Sequence, residues 1–253
     1  MMNPRLYSGL LSALLIMAMP VIASGDAVYT EDFPDAPEGV LLKNMPGWHL
    51  NYPLSASGEG AVVTARAGYR GAGIRFSLGE TFIKILPEGR GVLMEGAPVE
   101  FRFKIRLIDD AYAAAQILVG KNDGVNGLSV RFMGGKNGGV EDNMLRVSAG
   151  GENWGRGKSE DIAEARWRSE VWYEVILSNI RNTGPALNGE SVTALLSVIE
   201  VANPQNVLVK DRPVSGVGAA GKFDRIDAIV IGNMGVRRVF DIDDISLQKM
   251  PGK

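Results

Sequence analysis

Three groups of side chains in this sequence are of types that do chemistry. Acids lie near both ends of the globular part: Glu31 and Asp32 at its start, Asp241, Asp243 and Asp244 at its close. Calcium takes carboxylate oxygens as ligands, so Glu31, Asp32, Asp243 and Asp244 are the candidate set for a structural calcium ion that ties the termini together. The alternative is a solvated acidic edge that discourages pairing between sheets of different molecules. A glycine-rich run, Gly150 to Gly157, carries Trp154, whose indole has the apolar face needed to stack on a sugar ring while Asn153 and Arg156 offer hydrogen bonds. Its alternative is a Trp154 folded back as a lid over the core. Finally, Arg75, Arg102, Lys104, Arg106, Arg131 and Arg146 alternate with apolar residues. On one shared sheet, Arg102 and Arg131 would belong to a basic surface able to pair with the carboxylate or sulfate groups of an acidic polysaccharide. The alternative is an ordinary wet face balanced by glutamates.

Other chemistries lack their parts. Cysteine is absent, which removes disulfides, thiolate metal sites and a cysteine nucleophile. The sole histidine, His49, follows Trp48 in a turn-like segment and has no Gly-x-Ser-x-Gly to serve. Neither Asn122-Asp123-Gly124 nor Glu141-Asp142-Asn143 completes an EF-hand loop.

The elements that must position these residues are strands. Val99, Phe101, Phe103, Ile105 and Leu107 alternate with Glu100, Arg102, Lys104 and Arg106, which predicts a strand with one buried and one wet face. Shorter alternations occur at Ile74 to Leu78, Leu128 to Phe132 and Leu145 to Ser148. Further strands are expected at Val28 to Phe33, Ala61 to Ala65, Ala115 to Val119, Val171 to Ser178, Val192 to Val201, Val207 to Lys210 and Ile226 to Ile231. In the closing stretch, Phe240 and Ile242 share a face whereas Ile245 and Leu247 fall on the opposite parity, so a β-bulge is expected at Asp243-Asp244. Only Ser159 to Arg168 has a helical look, so at most one short helix is expected. About a dozen antiparallel strands in one domain make two sheets packed face to face, an all-β sandwich or jelly roll.

Residues 1–25 read as a secretory signal peptide: Arg5 precedes the apolar run Leu10 to Met19, and Pro20 and small residues follow, with cleavage after Ala23 or after Gly25. The run is shorter than the roughly 20 apolar residues a spanning helix requires. Residues 26–248 then form a single domain and 249–253 a short tail, in a secreted or periplasmic protein with no membrane partner once the signal is removed. Losing Arg5 leaves 26 basic against 29 acidic residues, a formal charge of −3. Such a balance gives no general attraction to nucleic acid.

The opening Val28-Tyr29-Thr30-Glu31-Asp32-Phe33, Pro46-Gly47-Trp48, the central Val171-Trp172-Tyr173-Glu174-Val175 and the closing Phe240-Asp241-Ile242-Asp243-Asp244-Ile245 together resemble the concanavalin A-like lectin/glucanase superfamily. The resemblance is to the laminin G-like jelly-roll domains of exported bacterial proteins, and it spans most of the chain after residue 25. It implies a jelly-roll fold, and the carbohydrate reading rests on the Trp154 loop and the basic face. Glucanases of this superfamily carry Glu-x-Asp-x-x-Glu on one strand, with two carboxyls about 5 Å apart in the retaining enzymes. That motif is missing, and Glu160-Asp161-Ile162-Ala163-Glu164 has the wrong spacing. The expectation is therefore a non-catalytic module for polysaccharide, with a divergent glycoside hydrolase or polysaccharide lyase as the alternative and a structural or protein-interaction domain as the second.

Overall fold

The computed structural model describes residues 26–33, 37–52, 57–87, 92–93, 97–108, 114–120, 127–134, 143–149, 159–182, 192–216, 225–234 and 239–251. The strands are β1 (Asp26–Glu31), β2 (Trp48–Tyr52), β3 (Ala61–Thr64), β4 (Gly73–Phe76), β5 (Thr81–Ile85), β6 (Val92–Leu93), β7 (Val99–Leu107), β8 (Ala114–Gly120) and β9 (Gly127–Met133). They continue with β10 (Met144–Ala149), β11 (Ser159–Ile162), β12 (Trp172–Asn182), β13 (Val192–Glu200), β14 (Val207–Gly216), β15 (Arg225–Ile226), β16 (Ala228–Met234) and β17 (Phe240–Lys249). One 3-10 turn, Leu42–Asn44, is the only helical element among the described residues.

Two large antiparallel sheets result. The first has eight strands in the order β14-β13-β12-β7-β17-β4-β3, with β1 added on β17. The second has seven, β11-β10-β9-β8-β16-β5-β2, and β6 pairs with β15 apart from both. The inward residues of β7 pack with those of β8 and β9 in one core, where Phe101, Phe103, Ile105, Ile117, Val130 and Phe132 are all buried. Aromatic rings meet from the two sheets: Phe76 of β4 lies edge-on to Phe82 of β5 at 6.0 Å, and Phe132 of β9 is 6.4 Å from Tyr173 of β12. Such interdigitation of inner faces is what defines a β-sandwich.

The closing strand has the expected phase change. β17 pairs with β7 along its length, with a register shift between Asp243 and Ser246. Asp244 takes φ 51°, the left-handed conformation that absorbs the extra residue. On its other edge β17 has two partners in succession: β4 along Phe240 to Ile242, then β1 along Ile245 to Lys249. The bulge sits where the partner changes, so first and last strands lie side by side and β17 runs one residue into the expected tail.

Two local expectations are corrected. Ser159 to Arg168 is not helical: Ser159–Ile162 pairs with β10, and a turn at Ala163–Glu164, closed by the Ala165 N–H on the Ile162 carbonyl at 3.1 Å, follows, with Ala165 and Trp167 buried and their neighbours in sequence more exposed. Each outward acid of this stretch has a cationic partner: Asp161 takes Arg146, while Glu160 and Glu164 both take Arg212 of β14. His49, expected in a turn, lies in β2 opposite Ile83 of β5.

Candidate functional site

The outer face of the eight-stranded sheet collects polar side chains into rows. Cross-strand pairing aligns Val62 of β3, Arg75 of β4, Asp241 of β17, Arg106 of β7 and Trp172 of β12. The next row sets Asp243 beside Lys104 and Lys104 beside Glu174. Alternation along each strand turns these residues away from the core.

Asp241 is the hub of the first row and is fully buried. Arg75 donates Nε to Oδ1 at 2.8 Å and Nη2 to Oδ2 at 3.0 Å, a bidentate pair. Arg106 donates Nε and Nη2 to Oδ2 at 3.2 and 2.7 Å. The hydrogen bonds that Arg75 donates to Asp241 raise its pKa against the opposing effect of burial. Two guanidinium groups thus cover one carboxylate and remain partly exposed themselves, 33% and 21% by side chain.

Arg106 also lies against the ring of Trp172, 5.0 Å from its centroid, a cation–π contact. Beside Trp172 stands Tyr69, edge-on at 5.9 Å with an interplanar angle of 71°. Both rings are half-buried. Tyr69 comes from the connection between β3 and β4, a loop folded tightly on itself. A Cβ on Gly68 would lie 2.1 Å from the carbonyl oxygen of Gly71, and one on Gly73 would lie 2.5 Å from that of Ala67. Buried Ala67 and the bond from Arg106 Nη2 to the Arg66 carbonyl, 2.9 Å, hold this loop on the sheet.

Lys104 stands over the other side of the site, its ammonium 4.4 Å from the centroid of Tyr69 and paired with Asp244. Asp243 accepts the Tyr69 backbone N–H at 2.7 Å through Oδ2, and its Oδ1 is buried without a hydrogen-bond partner. Burial pushes the Asp243 carboxyl above the ordinary aspartate range, against the opposing backbone bonds.

The sequence-predicted residues are distributed as follows. Of the candidate calcium ligands, Glu31 and the bulge lie on neighbouring strands, but the carboxylates do not converge. Glu31 accepts from Lys84 Nζ at 3.0 Å, from Trp48 Nε1 at 3.3 Å and from the Tyr29 hydroxyl. Asp32 is exposed, Asp243 faces the Tyr69 loop, and Asp244 holds Lys104. Among the described residues no group of three or more His, Cys, Asp and Glu side chains is arranged to hold a metal ion. The cation at the bulge is the Lys104 ammonium.

Arg102 and Arg131 are not brought together. Arg102 is on β7 of the eight-stranded sheet, bonded to Glu100 and 3.6 Å from Glu174. It borders a shallow cleft of ≈ 320 Å³ floored by Ile176, Ile199 and Val207. Arg131 is on β9 of the other sheet, opposite Gln116 and Arg146, where burial foremost, then Arg146, lowers its pKa. Their outer faces are opposite sides of the sandwich. Asn153, Trp154 and Arg156 lie outside the described residues.

Trp48 and Trp167 pack in the core, at 1% and 0% exposure, whereas Trp172 faces outward at the start of β12. Its parity opposite Tyr173 and Val175 carries that information. Nothing in the local sequence around Tyr69 signals its place, because that depends on how the loop folds onto β17.

The backbone is similar to the binding domain of Paraclostridial Mosquitocidal Protein 1, with a TM-score of 0.52 at 12% identity over 90% of this chain and 49% of that one. It is also similar to a xylan beta-1,4-xylosidase from Bacillus Halodurans C-125, with a TM-score of 0.52 at 9% identity over 87% of this chain and 38% of that one. Lectin II from Ulex europaeus overlaps at a TM-score of 0.48 and 10% identity, over 89% of this chain and 100% of that one. The chain spans half or less of the length of the first two. No protein-family model matches the sequence, and no curated protein matches it by sequence. The fold defines the chain as a two-sheet antiparallel β-sandwich that fits the jelly-roll class. Among the described residues no helix is long and apolar enough to cross a membrane.

Proposed function

We propose that the chain is an exported, non-catalytic carbohydrate-binding module that meets polysaccharide on the outer face of its eight-stranded sheet, at Tyr69 and Trp172. The observation that carries this is the half-exposed ring pair set among fixed donors and acceptors. Sugar recognition joins apolar C–H faces, which stack on aromatic rings, to hydroxyls that exchange hydrogen bonds with charged side chains. Arg70, exposed and 5.6 Å from the Tyr69 centroid, together with Lys104, Arg106 and Glu174 supplies the polar part.

The non-catalytic part is supported by the state of the acids. Glycoside hydrolysis needs one carboxyl as acid and a second as base or nucleophile across the bond. On this face Asp241 and Asp244 are both held by arginine or lysine, and Asp243 is turned into the loop. Export is supported by the signal-like residues 1–25.

Affinity electrophoresis through gels containing xylan, laminarin or pectin, each with and without calcium, tests the proposal; xylan comes first because a xylosidase is among the similar folds. Retardation of the wild type by at least one polysaccharide, lost in Trp172→Ala and Tyr69→Ala, is expected. Unretarded migration in every gel would leave a protein-interaction or structural domain as the better account, in keeping with the ion-paired arginines of the face.

A further inference from the structure

The Tyr69 ring and the Trp172 ring come from elements with no backbone pairing to one another: one from the β3–β4 loop, the other from the first residue of β12. Something must fix their relative position. Trp172 is set by its strand, since β12 pairs with β7 from Arg106 onward. Tyr69 has no strand to hold it. Its backbone N–H is taken by Asp243 Oδ2 at 2.7 Å.

We propose that Asp243 is a positioning residue for the Tyr69–Trp172 pair: from the gap between β4 and β1 on the edge of β17, its buried carboxylate clamps the loop that presents Tyr69. This rests on the reading of the ring pair as the carbohydrate site. Three observations carry it. Asp243 is 2% exposed and places one oxygen, Oδ1, where no hydrogen bond reaches it, a costly arrangement for a residue serving only to fill space. The bulge is what aims it: the register shift after Asp243 and the positive φ of Asp244 separate the two acids' tasks, one turned to the loop and the other to Lys104. Lys104 then completes a closed circuit, since its ammonium pairs with Asp244 and lies against the Tyr69 ring. Of the other charged groups of this face, Arg75 and Arg106 are engaged by Asp241, Glu174 lies 3.6 Å from Arg102, and Arg70 lies against the Tyr69 ring.

The tight loop makes the clamp consequential. Its other bonds hold the Ala65 N–H, the Arg66 N–H and carbonyl and the Ala67 N–H, all before Gly68, while Asp243 is the side chain that grips the segment carrying the ring. Releasing Tyr69 N–H therefore lets Tyr69 leave Trp172 without unfolding β3 or β4.

The test uses the full folded domain labelled with 5-fluorotryptophan, the Trp172 resonance being assigned by Trp172→Phe. In Asp243→Ala the Trp172 fluorine resonance is expected to move and exchange of the Tyr69 amide to accelerate at least about tenfold, on the order of one lost hydrogen bond. The Ala67 amide, bonded to the Thr64 carbonyl at 3.1 Å, keeps its protection. Asp243→Asn retains a carbonyl acceptor and restores both signals to wild-type values. Binding of xylohexaose, where the wild type binds it, weakens roughly three- to tenfold in Asp243→Ala and recovers in Asp243→Asn. Asp243→Ser, too short to reach the loop, is read the same way if Asp243→Ala does not fold. An unmoved Trp172 resonance in Asp243→Ala, or an Asp243→Asn variant displaced as far as the alanine variant, overturns the proposal. Displacement in the alanine variant with no carbohydrate bound by any form leaves the clamp standing and removes the carbohydrate reading instead.

Discussion

Replacing Asp241 by alanine is the most informative single change to the fold's polar face. The side chain is fully buried and accepts four N–H bonds from Arg75 and Arg106 at 2.7 to 3.2 Å. Hydrogen bonds to charged groups contribute about 1.5–3 kcal/mol each, and they do not add when they share one acceptor. Breaking a fully buried ion pair by removing one partner costs about 3–5 kcal/mol, because the remaining charge is stranded. Here the stranded groups are guanidiniums with 33% and 21% of their side-chain surface already in water, so part of that cost is recovered by hydration. The two also lose the anion that separates them. The balance gives about 2–4 kcal/mol of destabilisation for Asp241→Ala, or roughly 4–16 °C in Tm for a domain of this size. Urea denaturation followed by tryptophan fluorescence measures it, with Arg75→Met and Arg106→Met completing double-mutant cycles. Both cycles should show coupling, since each arginine has its own bonds. A loss below about 0.5 kcal/mol, the scale of an ordinary surface substitution, would refute the reasoning that Asp241 organises the face.

Trp172→Ala and Tyr69→Ala should abolish retardation in polysaccharide gels while changing unfolding free energy by only about 1 kcal/mol, as thermal melts will show. Gly73→Ala should destabilise by about 1–3 kcal/mol in urea titrations, because the new methyl would meet the Ala67 carbonyl at 2.5 Å. Asp243→Asn should be more stable than the wild type near neutral pH. The Asp243 carboxyl titrates above its unfolded value, so the stability its proton provides is present below the ordinary aspartate pKa and is lost as pH rises through the folded one. The stability difference between variant and wild type should therefore grow from acid toward neutral pH and then level; a difference independent of pH would contradict the assignment.

The parts of the fold carried by alternation were legible in the sequence. β7 has the predicted bounds, Val99–Leu107, and the parity change in β17 foretold the bulge that Asp243 and Asp244 form. β5 was missed because both its faces are covered: Phe82 joins the main core while Ile83 packs with Ala228 and Val230 on the other side, so Thr81–Ile85 shows no alternation. The acidic run at Glu160 suggested a helix because its partners, Arg146 and Arg212, are remote in sequence. The basic positions alternate with core residues as read, but Arg131 is buried rather than wet, and which of them share a face is a property of sheet order. Arg102 and Arg131 fall on different sheets for that reason. Tyr69, the loop residue that completes the site, has no periodicity to betray it, and only the fold sets its ring beside Trp172.

Mapping a bound oligosaccharide by amide and side-chain NMR shifts tests the central claim most directly, using a fragment of whichever polysaccharide retards the protein. Perturbations concentrated at Tyr69, Lys104, Arg106 and Trp172 are the predicted result. Perturbations concentrated at Arg131 and Arg146 on the seven-stranded sheet, with Trp172 unchanged, would contradict it.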